Sequence, residues 1–491
     1  MHNPVRLLSL SIALGLPALA AGEGFFDDAR LKVLNRNFYM SQDFRNDSRF
    51  RNPQTGESKH FRAEWAHGVI ATFESGFTPG PIGVGLDVRG LFGWKLDGGD
   101  GRVGDSNAGN GLIPRRGHNF DGKPKDDFGK VDVALKLRLF EDTELRYGDH
   151  RPASPVIYAS DTRLLPQSFR GSFFKNTSIK GLTLEGGKVE SGSDRSATAH
   201  NGDLGTAYGG RFKDADDFVY AGADYRYDER FFFRLHHGRL DDVWNQTAFY
   251  ADWRQPLGEG LGFNTGFKYF RTRDTGKSLL GDIDNDSWSA HVGLTAGAHA
   301  LTLTHTRIDD DSPFDYLWNT WDFFLNTGSQ ISDFNNPNER TWMLRYDYDF
   351  AAVGLPGLML IARYLRGTDI DGSKVGPGYA AYQNIRDGRH WERDFWLSYV
   401  VQSGPARDLT FKVLHASHRA NGDHTAEADI DELRLIVEYP LAGPEQRAVS
   451  AGQVCAAQQP ISRLCPRQYR ADRFCLPISL NQKRFMGWHG F

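Results

Sequence analysis

Beyond its first twenty residues the chain is a succession of short runs in which apolar and polar side chains alternate one by one. In VALKLRLF, Val133, Leu135, Leu137 and Leu139 share one face while Lys136 and Arg138 share the other. In WMLRYDYDF, Trp342, Leu344, Tyr346, Tyr348 and Phe350 oppose Arg345, Asp347 and Asp349. In ELRLIVEYPL, Leu433, Leu435, Val437 and Tyr439 oppose Arg434 and Glu438. A period of two is the period of a strand with one wet and one apolar face. Gly, Pro, Asn and Asp clusters separate the runs, as turns require. No later stretch approaches the roughly 18 consecutive apolar residues of a membrane helix, and no amphipathic helix of three turns is evident. The chain is all-β.

A soluble sandwich and a membrane barrel both alternate in this way. Two features favour the barrel. Aromatic residues make up 13% of the chain, and on the apolar face they gather toward strand ends, as in the girdles at membrane interfaces. Charges also recur at mid-strand on the polar face, which suits a water-filled lumen and would be costly in a dry core. A strand of about ten residues spans a bilayer, so about 420 residues hold about 16 to 18 strands with their loops. A barrel of that size encloses an aqueous channel. Polar connections at Asp97–Asp127, Glu190–Asp203 and Asp309–Asn338 are long, whereas VGLPG (Val353–Gly357) and SGPARD (Ser403–Asp408) are tight turns. The reading is a transmembrane antiparallel β-barrel of about 16 to 18 strands with long extracellular loops and short periplasmic turns.

Residues 1–21 read as a signal peptide: Arg6, an apolar run from Leu7 to Leu19, and Ala18 and Ala20 at the small-residue positions. Residues 22–441 form the barrel. Residues 442–491 lack strand alternation and hold all three cysteines, Cys455, Cys465 and Cys475, whose spacing fits no zinc pattern. This tail is expected to be a disordered extension foreign to the barrel. A net charge of −4 gives no support for nucleic-acid binding.

Inward cations form the clearest candidate chemistry. Parity puts Lys136, Arg138, Arg363, Lys412 and Arg434 on the polar face, where successive cations could pass a carboxylate along. The stretch DTRLLPQSF, Asp161–Phe169, breaks strand alternation and is read as a loop folded into the lumen, with Arg163 near the narrowest point. Asp282, Asp284 and Asp286 lack the glycine and glutamate of a calcium loop and are read as a solvated turn. There is no G-x-S-x-G and no H-E-x-x-H, and GKS at Gly276–Ser278 lacks the first P-loop glycine. No catalytic residue, metal ligand or cofactor is expected. The competing functions are an outer-membrane barrel enzyme of serine peptidase or lipase type, and a sugar-selective porin with an aromatic slide.

LNRNFYMSQDFR (Leu34–Arg45), ESGFTPGPIGVGLD (Glu74–Asp87), RLLPQSF (Arg163–Phe169), SPFDY (Ser312–Tyr316), SDFNNPNERTWMLRYDYDF (Ser332–Phe350), VVQSGPARDLTF (Val400–Phe411) and DELRLIVEYPL (Asp431–Leu441) follow one another in order. Through them the chain resembles the OprD family of substrate-specific outer-membrane porins. The resemblance implies an 18-stranded barrel, monomeric or weakly trimeric, inserted among outer-membrane lipid and lipopolysaccharide by the barrel-assembly machinery. It implies passive uptake of small carboxylates, either aromatic or alicyclic acids or amino acids, through an eyelet formed by loops three and seven. It places the constriction arginine at Arg163 and ladder positions at Arg138, Arg363, Lys412 and Arg419. The opposed carboxylates fall at Asp315 and Asp322, and Asp315 is expected to face Arg163. Lys412 and Leu414 stand where relatives often carry arginine, which weakens the ladder, since lysine lacks the bidentate fork. GTDIDGSK (Gly367–Lys374) resembles the amino-acid branch and RHWERDFWLSYV (Arg389–Val400) the aromatic-acid branch. The balance leans to carboxylates without a required amine.

Overall fold

The computed structural model describes residues 24–51, 56–98, 111–114, 124–195, 197–200, 202–211, 217–318, 324–424 and 426–441. The segments read as a signal peptide and as a C-terminal extension, and Asp322, lie outside the described residues. Eighteen strands run β1 Arg30–Phe44, β2 Phe61–Glu74, β3 Ile82–Asp97, β4 Asp127–Leu139, β5 Thr143–His150 and β6 Ser168–Asn176. They continue β7 Leu182–Ser193, β8 Phe218–Arg226, β9 Phe231–Leu240, β10 Trp244–Gly258, β11 Leu261–Asp274 and β12 Asp284–Ala296. The last six are β13 His299–Asp309, β14 Arg340–Asp349, β15 Leu358–Ile370, β16 Gly388–Val400, β17 Thr410–Ala420 and β18 Ile430–Leu441. Each pairs antiparallel with the next, and β18 closes on β1 from Val33↔Leu441 to Phe44↔Ile430. Closure removes both sheet edges, the condition for crossing a bilayer with strands.

The strand parity matches the sequence reading. Val131, Val133 and Leu135 of β4, Trp342 and Leu344 of β14, and Phe395, Leu397 and Tyr399 of β16 are exposed on the outer wall. Lys130, Asp132 and Lys136 of β4, Asp347 of β14, and Glu392 and Asp394 of β16 are buried on the inner one. Short turns join strands at one end. In the turn between β4 and β5, Phe140 (φ 51°) and Glu141 (φ 70°) both take left-handed backbone without glycine. That geometry matches strand twist in tight hairpins.

Long connections fill the opposite end, and their third (151–167) and seventh (310–339) members enter the lumen. Among the described residues the inner core has two large parts. One packs Phe314, Tyr316, Leu317, Phe324 and Tyr379 from loops seven and eight against Trp244, Phe218 and Phe270 of the wall. The other packs Leu164 and Leu165 of loop three against Phe38, Met40, Ala66, Leu91, Phe128 and Trp396. Glycines make that second seat. A Cβ on Gly93 would stand 2.4 Å from the Phe128 ring and 3.0 Å from Leu164, and one on Gly68 would stand 3.1 Å from Leu164.

Candidate functional site

The Leu-Leu-Pro break in DTRLLPQSF has a direct purpose. Leu164 and Leu165 plug the wall cluster completely buried, which fixes the flanking residues across the lumen. Arg36 of β1 holds this loop from below. Its guanidinium donates to the Arg163 carbonyl at 2.9 Å, the Leu164 carbonyl at 3.2 Å and the Asp161 carboxylate at 2.8 Å. The same group donates to Glu438 at 2.7 Å, and Lys412 donates to the other Glu438 oxygen at 2.8 Å. Glu438 thus joins two cations on neighbouring strands, and Lys412 is engaged within the wall.

Arg163 itself is buried at 8% exposure beside Arg195 of loop four, at 7%. Its other charged neighbours are Arg434, Glu432 and Arg62. Burial, then the like charges of Arg195 and Arg434, push the Arg163 guanidinium well below the usual arginine range. Burial likewise lowers Arg195, to about 10, against the opposing pull of Asp194, Tyr316 and Asp333. The Arg195 guanidinium donates to Thr162, and its Nε is buried without a hydrogen-bond partner. Positive charge is therefore concentrated at the tip of loop three.

Loop seven crosses from the other side and is seated on the wall of β15 to β18. The Arg363 guanidinium donates to the Gly328 carbonyl at 3.2 Å, pairs with Asp394 and stacks over Trp396 at 4.0 Å. Glu392 accepts from the Ile331 and Ser332 amides, both at 2.9 Å. Gln330 receives the Trp396 indole N–H at 2.7 Å and donates to Glu432 at 3.1 Å, while Arg434 donates to its carbonyl at 2.9 Å. Two of the inward cations read from parity, Arg363 and Arg434, thus serve as anchors for a loop.

Two sequence expectations, for Asp315 and Arg419, are corrected by this geometry. Asp315 does not face Arg163. Its carboxylate is buried and accepts from the amides of Tyr208 (3.1 Å), Gly209 (3.2 Å) and Tyr316 (2.8 Å) and from the Tyr379 hydroxyl (3.1 Å). It is a tie between loops four, seven and eight. Burial raises its pKa, with Thr206 and these donors working against the rise. Arg419 lies on the outer face, because it shares parity with exposed Phe411 and Val413. There it pairs with Asp431 at 2.8 Å and sits over Trp391 at 6.0 Å. Arg138 is inward-facing but lies next to the short turns, over Phe77 at 4.7 Å.

The loop-seven acid that stands near Arg195 is Asp333, which the sequence reading passed over although it lies in the SDFNNPNER stretch. The Tyr208 hydroxyl donates to it at 2.5 Å, and the Tyr316 hydroxyl donates to it as well. Burial and Asp333 raise both phenols well above their ordinary range, so they remain donors. Glu432 and Arg36 were also missed. Glu432 was legible from the parity of β18, but Arg36 was masked because Phe38 and Met40 share its inward face.

A closed barrel with an apolar outer wall, a charged lumen and two loops folded into it defines an outer-membrane diffusion channel. The family model described as outer membrane porin, OprD family, matches residues 23–443, and the chain belongs to that family. It is 36% identical over 436 residues to Porin D of Pseudomonas aeruginosa, covering 86% of this chain and 93% of the relative. Among solved structures, OccK9 (OpdG) of Pseudomonas aeruginosa superposes with a TM-score of 0.76 at 36% identity, over 85% of this chain and all of that one. OpdK of the same organism, solved with vanillate, gives 0.74 at 34% identity, over 86% and 100%. The long loops are accordingly extracellular, and the tight turns periplasmic.

Proposed function

We propose that this porin takes up small molecules bearing a carboxylate, and that Arg163 with Arg195 selects them at the constriction. The observation that carries the reading is the buried gathering of Arg163, Arg195 and Arg434 at the tip of loop three. Like guanidinium charges held together away from bulk water favour an anion between them. The fork of an arginine suits a planar carboxylate in particular. Asp333, set in loop seven, supplies the opposed negative wall and sends the substrate past the arginines in one orientation. Lower down, Arg138 gives the carboxylate its next cation toward the periplasm. That OpdK was solved with vanillate, an aromatic carboxylate, supports the same class here. Aromatic or alicyclic acids fit better than basic amino acids, since Asp315 is consumed by the loop tie and offers an ammonium group no partner.

The experiment is single-channel recording in planar bilayers. Small-conductance openings should be blocked by vanillate or benzoate and left unchanged by maltodextrins. Block by maltodextrins alone, or the failure of both acids to affect the current, would reject the reading.

A further inference from the structure

A second polar cluster lies at the extracellular rim, away from the arginines. His390 is the third residue of β16, His418 lies near the end of β17, and His424 and Glu427 belong to the ninth loop. All three histidines are buried. The His390 ring packs on one face against Phe334 at 4.2 Å.

The tautomers follow from the outer partners. His418 Nδ1 faces the Ala428 carbonyl at 2.9 Å. A carbonyl only accepts, so the proton sits on Nδ1 and Nε2 carries a lone pair. His390 Nε2 faces the Glu339 carboxylate at 2.8 Å, which leaves the lone pair of the neutral ring on Nδ1. These two nitrogens are 2.9 Å apart. Glu427 Oε2 stands 2.9 Å from the His418 nitrogen and 3.3 Å from the His390 nitrogen. Three lone-pair bearers therefore converge on one point. Beside them His424 is only 3% exposed, and neither of its ring nitrogens has a hydrogen-bond partner. Its ligand atom lies within 4.8 Å of those of His390 and Glu427.

We propose that His390 Nδ1, His418 Nε2, Glu427 Oε2 and His424 bind a divalent transition metal ion of the zinc class. Four ligands at about 2.0–2.1 Å in a tetrahedron stand about 3.3 Å apart, close to the spacing of the first three. His424, within 4.8 Å of the His390 and Glu427 ligand atoms, is the fourth ligand. The three-nitrogen, one-oxygen donor set suits zinc, copper or nickel and disfavours calcium and magnesium. Glu339 behind His390 and the Ala428 carbonyl behind His418 are the outer partners that orient metal-bound imidazoles. A single shared proton satisfies one pair of these atoms, and leaves His424 unserved. The other oxygen of Glu427 accepts from Ser332 of loop seven at 2.9 Å, next to Asp333. The ion would thus clip loops seven and nine to the wall above the constriction.

The spacing in sequence hides this site, because its members come from loop nine and two different strands. The test is zinc and cobalt binding to the folded full chain in detergent. Wild type should take up one Zn²⁺ from ZnCl₂, show the visible absorption of tetrahedral Co²⁺, and melt at higher temperature with zinc. His424→Ala, which breaks no hydrogen bond of the fold, should bind zinc at least about tenfold more weakly and lose the zinc-dependent gain in melting temperature. Glu339→Gln should weaken binding about 10- to 100-fold without removing a ligand. Calcium chloride should produce none of these effects. Wild type that binds no zinc would overturn the proposal, since the cluster would then be held by a proton. Equal binding in wild type and His424→Ala would overturn it too, because exposed histidines would then account for the uptake.

Discussion

The third and seventh loops both enter the lumen, yet they are built on opposite plans. Loop three is short, pinned by two buried leucines and by Arg36, and it brings charge to its tip beside Arg195. Loop seven is long and uses its polar groups to hold itself in place. Gly328, Gln330, Ile331 and Ser332 each bond to the wall, and Asp315 bonds to neighbouring loops. Of its charges, Asp333 stands out as the one toward the cations. A charged residue in a pore can therefore be a selector or a fastener, and an inward position alone does not say which.

The largest effect should come from the selector. Arg163→Ala together with Arg195→Ala removes charge-assisted hydrogen bonds each worth about 1.5–3 kcal/mol. Carboxylate block should then weaken by at least about 10- to 100-fold, with the barrel still folded on heat-modifiable gels. Unchanged block would place the selecting cations elsewhere.

The fasteners come next. Asp315→Asn sets an amide against backbone N–H donors, and leaving a buried donor unmet costs about 1–3 kcal/mol. The melting temperature should fall while carboxylate block is preserved. Asp333→Asn should do the reverse, shifting the reversal potential toward anions with little loss of stability. If Asp315→Asn changed selectivity as much as Asp333→Asn, the division between the loops would fail. Arg363→Met releases Gly328 and leaves Asp394 buried without its guanidinium, so open-channel noise should rise as loop seven loosens. A quiet trace in that variant would argue that Glu392 and Gln330 suffice.

The smallest effect concerns pH. The barrel environment alone would raise Asp161, but Arg36 and Arg151 hold it at about 2, below its ordinary 3.8. A depressed carboxyl stabilises the folded arrangement above its unfolded value and loses that contribution as pH falls through the folded one. The Asp161–Arg36 contact should therefore persist from neutral pH down to about 4 and fade toward 2. Because the Asp161 side chain is 37% exposed, water screens the pair and the change is small. Conductance recorded from pH 7 to pH 2 should be flat and then drift. A step near pH 6 would contradict this assignment.

Much of the fold could be read from the chain because strand parity is local. Val133 and Leu135 face out, and Lys136 in, whatever the rest of the molecule does. The placement of DTRLLPQSF was legible for a similar reason: a Leu-Leu-Pro break between alternating runs cannot continue a strand. The parts of the site that were misread depend on distant partners. Nothing near Asp315 announces that Tyr208, Gly209 and Tyr379 will cage it. Arg419 was placed by resemblance, although counting from Phe411 puts it on the outer face. Asp333 differs from its acidic neighbours only in which tyrosines reach it. Arg36 defied the usual pattern because loop three covers it, making the inner face of β1 partly apolar. Inside a lumen filled by loops, inward does not mean wet.

The most direct test is vanillate block of single channels in three proteins measured side by side: wild type, Arg163→Ala and Asp315→Asn. Selection by the tip of loop three predicts strong block in wild type, equal block in Asp315→Asn and a loss of at least about tenfold in Arg163→Ala. Strong block retained in Arg163→Ala and lost in Asp315→Asn would contradict it.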